Sequence, residues 1–205
     1  MLTTIEQLEA LYAQPAERSL RKEIDYVNDD YRAFVEAAPL AVLATSGPAG
    51  LDCSPRGDAP GFVRVLDERT LALPDRPGNN RLDSLRNIIA DPRLALLLIV
   101  PGVGETLRVN GRGRISADPA LLDSYAVDGK LPRTVLLIDV EAVYFHCSKA
   151  LVRSRLWDPA SHVERSRLPS AGEILQHIFA AGDGEQFDGV AYDRELPARV
   201  RATLY

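Results

Sequence analysis

Between residues 40 and 147 the apolar positions alternate with polar ones or run together in short blocks, whereas on both sides they recur at helical spacing. In the leading segment Ile5, Leu8, Leu11 and Tyr12 share one helical face, with Thr3 or Thr4 as cap and Glu6 near the start. Pro15 begins a second short helix over 16–23, and Asn28 opens a third that reaches Ala37 before Pro39, with Tyr31, Phe34 and Val35 facing inward. The middle reads as strands. Residues 40–46 form a buried first strand, Gly47-Pro48-Ala49-Gly50 a hairpin turn, and 51–54 the returning strand. The stretch 55–61, with its prolines and glycines, is predicted to leave the sheet as a loop or bulge on a rim. Residues 62–67 and 70–73 make a further hairpin; a polar turn over 74–81 leads into a helix over 82–90 that Asp91-Pro92 stops. An almost purely apolar strand over 94–100, a Pro-Gly-Val-Gly turn and the alternating strand 106–115 follow. Asp118-Pro119 opens a short helix over 120–125, and 134–147 is one long strand.

The trailing segment returns to helical spacing. Residues 148–156 are predicted helical and broken by Trp157-Asp158-Pro159; 161–169 is polar surface. Ser170 caps a helix over 171–181 with Ile174, Leu175, Ile178 and Phe179 inward, and 193–204 forms a last helix. Hairpins with few crossover helices predict a mainly β protein with flanking helices, built on an antiparallel barrel rather than a doubly wound sheet. With 205 residues the chain is read as one domain, with helical segments over 1–38 and 160–205.

The polar turn before residue 82 is the unusual part. Asn79, Asn80 and Arg81 stand where free backbone N–H groups and the positive end of a helix dipole favour an anion. Asn79 or Asn80 can cap the helix, leaving Arg81 in solvent. Alternatively the turn is a phosphate clamp, with Arg81 as a forked donor and the Asn amides beside it. One Asn can cap while its neighbour binds.

Composition narrows the classes. Apolar residues make up 46% and charged residues 26%, ordinary for a soluble globular domain. A formal charge of −5 and a pI near 5.3 argue against a general nucleic-acid binder. No apolar run approaches about 20 residues and the start of the chain is acidic, so neither a membrane span nor a secretory signal is expected. Cys53 and Cys147 are too few for a disulfide framework, which points to a reduced cytoplasmic setting; both are expected to be small buried residues. His146 beside Cys147 has no second Cys/His cluster at ligand spacing, so no metal site is expected. Gly102-Val103-Gly104 lacks the third glycine of a dinucleotide fingerprint and enters a strand, which excludes that reading.

The order of strand, polar turn with Asn79-Asn80-Arg81, helix, Asp91-Pro92-Arg93, apolar strand and hairpin resembles the pyridoxamine 5'-phosphate oxidase-like superfamily of FMN-binding split β-barrels, and more narrowly an FMN-binding branch of it. The similarity reaches upstream to Ser54-Pro55-Arg56-Gly57-Asp58 and downstream to about Pro159. It implies a homodimer holding one FMN per subunit in the subunit cleft. By that resemblance the FMN phosphate is held by Arg56, Asn79, Asn80, Arg81 and the helix N–H groups, and Gly57 lets the backbone approach the ring. Asp58 stands where the oxidases carry a positive charge, and Leu82 where they carry Lys. Leu73, Pro74 and Asp75 would lay backbone along the isoalloxazine edge, while Glu105 and Thr106 would touch the ring edge. Lys149, Arg153 and Trp157 would approach from the second subunit, and the leading segment would pack on the barrel. The implied activity is FMN-dependent oxidoreduction of a small organic substrate, with NAD(P)H as a possible electron donor and no residue standing out as general acid or base. A carrier or sensor that binds flavin without turnover, and a binder of F420 or haem, are the alternatives. The oxidases' basic C-terminal substrate signature has only Arg167-Leu168-Pro169 as its nearest match.

Overall fold

A computed structural model describes residues 1–182 and 186–205. Its strands are β1 (Leu40–Gly47), β2 (Gly50–Gly57), β3 (Arg64–Asp67), β4 (Thr70–Asp75), β5 (Arg93–Ile99), β6 (Thr106–Ser116) and β7 (Thr134–His146). They form one seven-stranded antiparallel sheet in the order β2-β1-β5-β6-β7-β4-β3. Leu94, Leu96 and Leu98 of β5 point to one face with Ala41 and Leu43 of β1 and Leu107 and Val109 of β6, and this period-two set makes the core. The sheet curls until Arg56 on β2 comes within 3.5 Å of Asp75 at the end of β4, although β2 and β3, the sheet's edges, do not pair. This is a split β-barrel with flanking helices, the class expected from the sequence.

The helices are α1 (Ile5–Glu9), α2 (Glu17–Arg21), α3 (Asp29–Ala37), α4 (Asp83–Ala90), α5 (Pro119–Ser124), α6 (Lys149–Ser154), α7 (Ala171–Ala181) and α8 (Gly189–Ala202). Asn28 caps α3, which buries Tyr31 and Val35 against the barrel. Helix α4 lies across β1, β2 and β6. Its buried Asn87 donates to Thr45 Oγ1 at 3.2 Å and to the Gly50 carbonyl at 3.3 Å. That close seat needs Gly47, where a Cβ would fall 2.3 Å from Asn87 Oδ1.

Several expectations are corrected. Strand β2 runs on through Pro55 and Arg56 to Gly57, with Pro55 opposite Val42. An edge strand tolerates proline because its missing N–H faces no neighbour. The faces of α1 and α2 are not packed: Ile5 is 64% and Leu20 60% exposed, so the buried anchors of the leading segment are Val27 and the inner face of α3. Ser170 caps α7 as expected, with Glu173 completing a capping box, but Ile174 and Ile178 face outward while Leu175 and Phe179 are half-buried. Helix α8 starts at Gly189 under an Asp188 cap, ahead of the expected start at 193. The reason is a tertiary contact: Asp193 accepts from the Gly172 N–H and from Ser170, and Gly172 and Gly189 let the two helices touch backbone to backbone. Cys53 and Cys147 are both exposed rather than buried, Cys53 because alternation on β2 turns it outward.

Candidate functional site

A cavity of about 370 Å³ opens where β2, the end of β4 and the start of α4 converge. Asp52, Ser54 and Arg56 reach it together because alternate residues of a strand share a face. Asp75 enters from β4, Arg133 from just before β7, and the loop from Arg76 to Leu82 forms the mouth. Leu73 and Pro74 lie beneath it, lining a narrow crevice with Leu43, Leu85 and Leu136.

Ser84, 3% exposed in the first turn of α4, is the hub of the polar wall. Its hydroxyl donates to Asp52 Oδ2 at 2.5 Å and accepts from Arg56 Nη2 at 2.9 Å, with Ser54 Oγ 3.1 Å away. Arg56 thus points into the cavity on two supports, Ser84 and, at 3.5 Å, Asp75. Burial pushes the Asp75 carboxyl above its ordinary pKa, and the attraction of Arg56 and Arg133 does not cancel that push. Desolvation of a carboxylate outweighs a long ion pair here.

The turn itself departs from the capping expectation. Helix α4 starts at Asp83, its N-cap position is Leu82, and no side chain caps it. Asn79 Oδ1 instead accepts from the Arg81 N–H at 3.1 Å, a local Asx turn. Asn80 and Leu82 both take the left-handed conformation, with φ of 59° and 63°. Asn tolerates that region; a leucine there is strained, by about 1–3 kcal/mol. The first-turn N–H groups of α4 therefore open toward the cavity without a side-chain cap. Arg81 is exposed and its Nε donates to Asp83 Oδ2 at 2.7 Å.

Chemically, this is a set of anion donors already held by carboxylates. Guanidinium groups, hydroxyls, Asn amides and uncapped helix N–H groups converge, and Asp75, Asp83 and Asp52 occupy some of that capacity. The donor set fits a phosphate monoester, with Arg81 free to swing from Asp83 because both side chains reach solvent.

The remaining residues singled out in the sequence lie elsewhere on the protomer. Gly57 ends β2, and Asp58 turns away from the cavity to accept from Arg76 Nε at 2.7 Å and from Tyr205 Oη at 2.6 Å. Burial raises the pKa of Asp58, yet the Tyr205 hydroxyl, the Ala59 N–H and Arg76 together hold it below the ordinary carboxylate value. Glu105 and Thr106 lie where β6 begins. Register places Thr106 in one transverse line with Ile99, Leu40 and Gly57, on the outer face of the sheet. Lys149 and Arg153 are exposed on α6, and Trp157 Nε1 donates to the Val103 carbonyl at 2.8 Å. The cavity thus gathers Arg56, Asp75, Asn79, Asn80 and Arg81. It adds Asp52, Ser54, Arg76, Ser84 and Arg133; of these only Asp52 and Ser54 had a visible signal, the alternation Asp52-x-Ser54-x-Arg56 once β2 is extended.

A family model described as pyridoxamine 5'-phosphate oxidase matches residues 27–147, from just before α3 to the residue after β7. The chain belongs to the pyridoxamine 5'-phosphate oxidase family. The family match includes the cavity's strands, its turn and α4, and excludes α7 and α8. No curated protein matches the sequence. Solved structures similar to this family member include HupZ of Group A Streptococcus, at 16% identity and a TM-score of 0.46 over 57% of this chain and 91% of that one. General Stress Protein 26 of Bacillus anthracis is 14% identical, with a TM-score of 0.43 over 55% of this chain and 88% of that one. An FMN-binding protein of Syntrophomonas wolfei is 11% identical, with a TM-score of 0.44 over 68% and 91%. Among the described residues no helix is long and apolar enough to cross a membrane.

Proposed function

We propose that this protein binds FMN and acts as an FMN-dependent oxidoreductase on a small organic substrate. The observation that carries the reading is the uncapped start of α4, facing the same cavity as Arg56, Ser84 and Arg81. Arg56, Asn79, Asn80 and Arg81 would hold the phosphate with the first-turn N–H groups, Ser84 and Asp75 keep Arg56 aimed, and Arg133 adds charge from the far wall. The backbone of Gly57, Leu73, Pro74 and Asp75 is the surface on which the ring would rest. When bound, the flavin supplies the hydride or electron transfer, with NAD(P)H as a candidate donor.

The reading includes a second copy of the chain. Leu40, Val42, Leu97 and Ile99 share the outer face of the sheet by register, next to Leu51, which is 89% exposed, and Pro55. An apolar sheet face of this kind is suited to a partner surface. A homodimer packed there would bring Glu105, Thr106, Lys149, Arg153 and Trp157 of one copy toward the other's cavity.

One feature favours a second reading, a flavin carrier without turnover. Asp75 and Asp83 compete with the phosphate for Arg56 and Arg81, which favours an exchangeable cofactor. Titrating the protein with FMN, then assaying NAD(P)H oxidation with a panel of acceptors, tests both. Tight binding with turnover supports the enzyme, binding without turnover supports the carrier, and a Soret band in purified protein would point to haem instead. Failure to bind FMN ends the first two readings.

A further inference from the structure

Four segments distant in sequence meet beside the cavity mouth. The Asp58 side chain is 4% exposed and its two oxygens have separate partners. Oδ2 accepts from Arg76 Nε at 2.7 Å; Oδ1 accepts from Tyr205 Oη at 2.6 Å and from the Ala59 N–H at 2.7 Å. Arg76 Nη1 donates in turn to the Tyr125 carbonyl at 2.9 Å, and its guanidinium lies 5.2 Å from the centroid of the Tyr205 ring. Tyr205, just beyond α8, therefore both bonds the carboxylate that holds Arg76 and faces Arg76 with its ring.

Arg76 is the first residue of the loop that carries Asn79, Asn80 and Arg81. Among the described residues, the hydrogen bonds of 77–82 run only within the loop, to Asp83 and into the first turn of α4. The loop also contains the left-handed Asn80 and Leu82, conformations that persist only where the surroundings hold them. Its entry is consequently held at Arg76, by a carboxylate buried deeply enough that losing one partner leaves a charge unpaired.

We propose that Asp58 and Tyr205 are positioning residues: they fix Arg76, and Arg76 fixes the turn that grips a phosphate monoester. The C-terminal helical segment, outside the family match, thereby sets the shape of the anion site. The phosphate part of this inference rests on the flavin reading above; the positioning part does not.

The test compares the full chain with Tyr205→Phe and Asp58→Asn. Tyr205→Phe keeps the ring beside Arg76 and removes only the hydroxyl, so it leaves the fold intact. Without ligand, exchange of the Arg81 amide, which bonds Asn79 Oδ1 within the turn, is expected to quicken about tenfold in both variants while the barrel strands keep their protection. FMN affinity is expected to fall about tenfold and riboflavin affinity to stay unchanged, because only the phosphate depends on the turn. Unchanged loop exchange in Tyr205→Phe overturns the proposal, and so does an equal loss for FMN and riboflavin. If the wild-type chain binds neither flavin, the flavin reading fails and the exchange result alone decides the positioning role.

Discussion

Ser84 Oγ donates to Asp52 Oδ2 at 2.5 Å, and this bond ties the first turn of α4 to the edge strand β2. The same hydroxyl accepts from Arg56, so one buried side chain joins the cavity's helix wall to its strand wall. Ser84→Ala leaves Asp52 and Arg56 each short of a partner. The expected cost is about 1–3 kcal/mol in unfolding free energy, read as a lower urea midpoint at unchanged slope. FMN affinity should fall as well. A variant as stable as wild type would mean that water replaces the hydroxyl.

Arg81 is a binding prediction with no stability component. Its side chain is exposed and its ion pair with Asp83 is a surface pair, which contributes little to folding. Arg81→Ala should leave the melting temperature unchanged and weaken FMN about tenfold or more, with riboflavin unaffected. Asp83→Asn should act in the opposite direction by releasing Arg81 for the phosphate. Calorimetric titration of both variants checks the pair, and equal FMN affinity in all three proteins would remove Arg81 from the site.

Asp75 makes a pH prediction. Its folded pKa is raised, so the native chain holds this proton over a range where the unfolded chain has released it. Its contribution is fully present below the unfolded carboxylate value and is lost as pH rises through the folded one. Asp75→Asn, which stays neutral, should therefore be more stable than wild type at pH 7, and the difference should shrink on acidification toward the ordinary carboxylate range. Melting curves across that range decide it. Asp58 has the opposite sign: its lowered pKa gives stability above the unfolded value that is lost as pH falls through the folded one.

The outer sheet face gives an oligomer prediction. Leu97→Asp places a charge in the middle of that face, on a side chain that is half-buried in the protomer. A homodimer should become monomeric by sedimentation, with the fold kept by circular dichroism. Cys53, exposed on β2 beside the same face, should react slowly with a thiol reagent in the dimer and quickly in the variant. Identical sedimentation and labelling for both proteins would show that this face is not the interface.

Local pattern carried much of the fold. The leucines of β5, the start of α3 at Asn28 and the Ser170 cap of α7 are readable because each depends on neighbours within a few residues. Asn79, Asn80 and Arg81 were readable as candidate anion donors for the same reason, since polar residues before a helix have a known use, whereas Arg56 entered only through the family resemblance. Proline in β2 was misread because its tolerance depends on β2 being an edge, a fact about the whole sheet. Of the two readings of the turn, the side-chain cap on α4 fails because Leu82 holds the N-cap position in a left-handed conformation that its own preferences oppose. Ser84, Arg133 and the Asp58–Arg76–Tyr205 cluster had no local signature at all, being joined by hydrogen bonds or cavity walls across many residues of chain.

The amino-acid order by itself determined the period of each element, hence an antiparallel barrel with flanking helices and a polar turn ahead of α4. Tertiary structure alone decided which charges face one another: whether Arg56 meets Ser84 or solvent, and whether Asp58 lines the cavity or holds Arg76. The reason is range. Backbone periodicity is set within a few residues, whereas a buried ion pair takes its partner from whichever strand the closed sheet brings alongside.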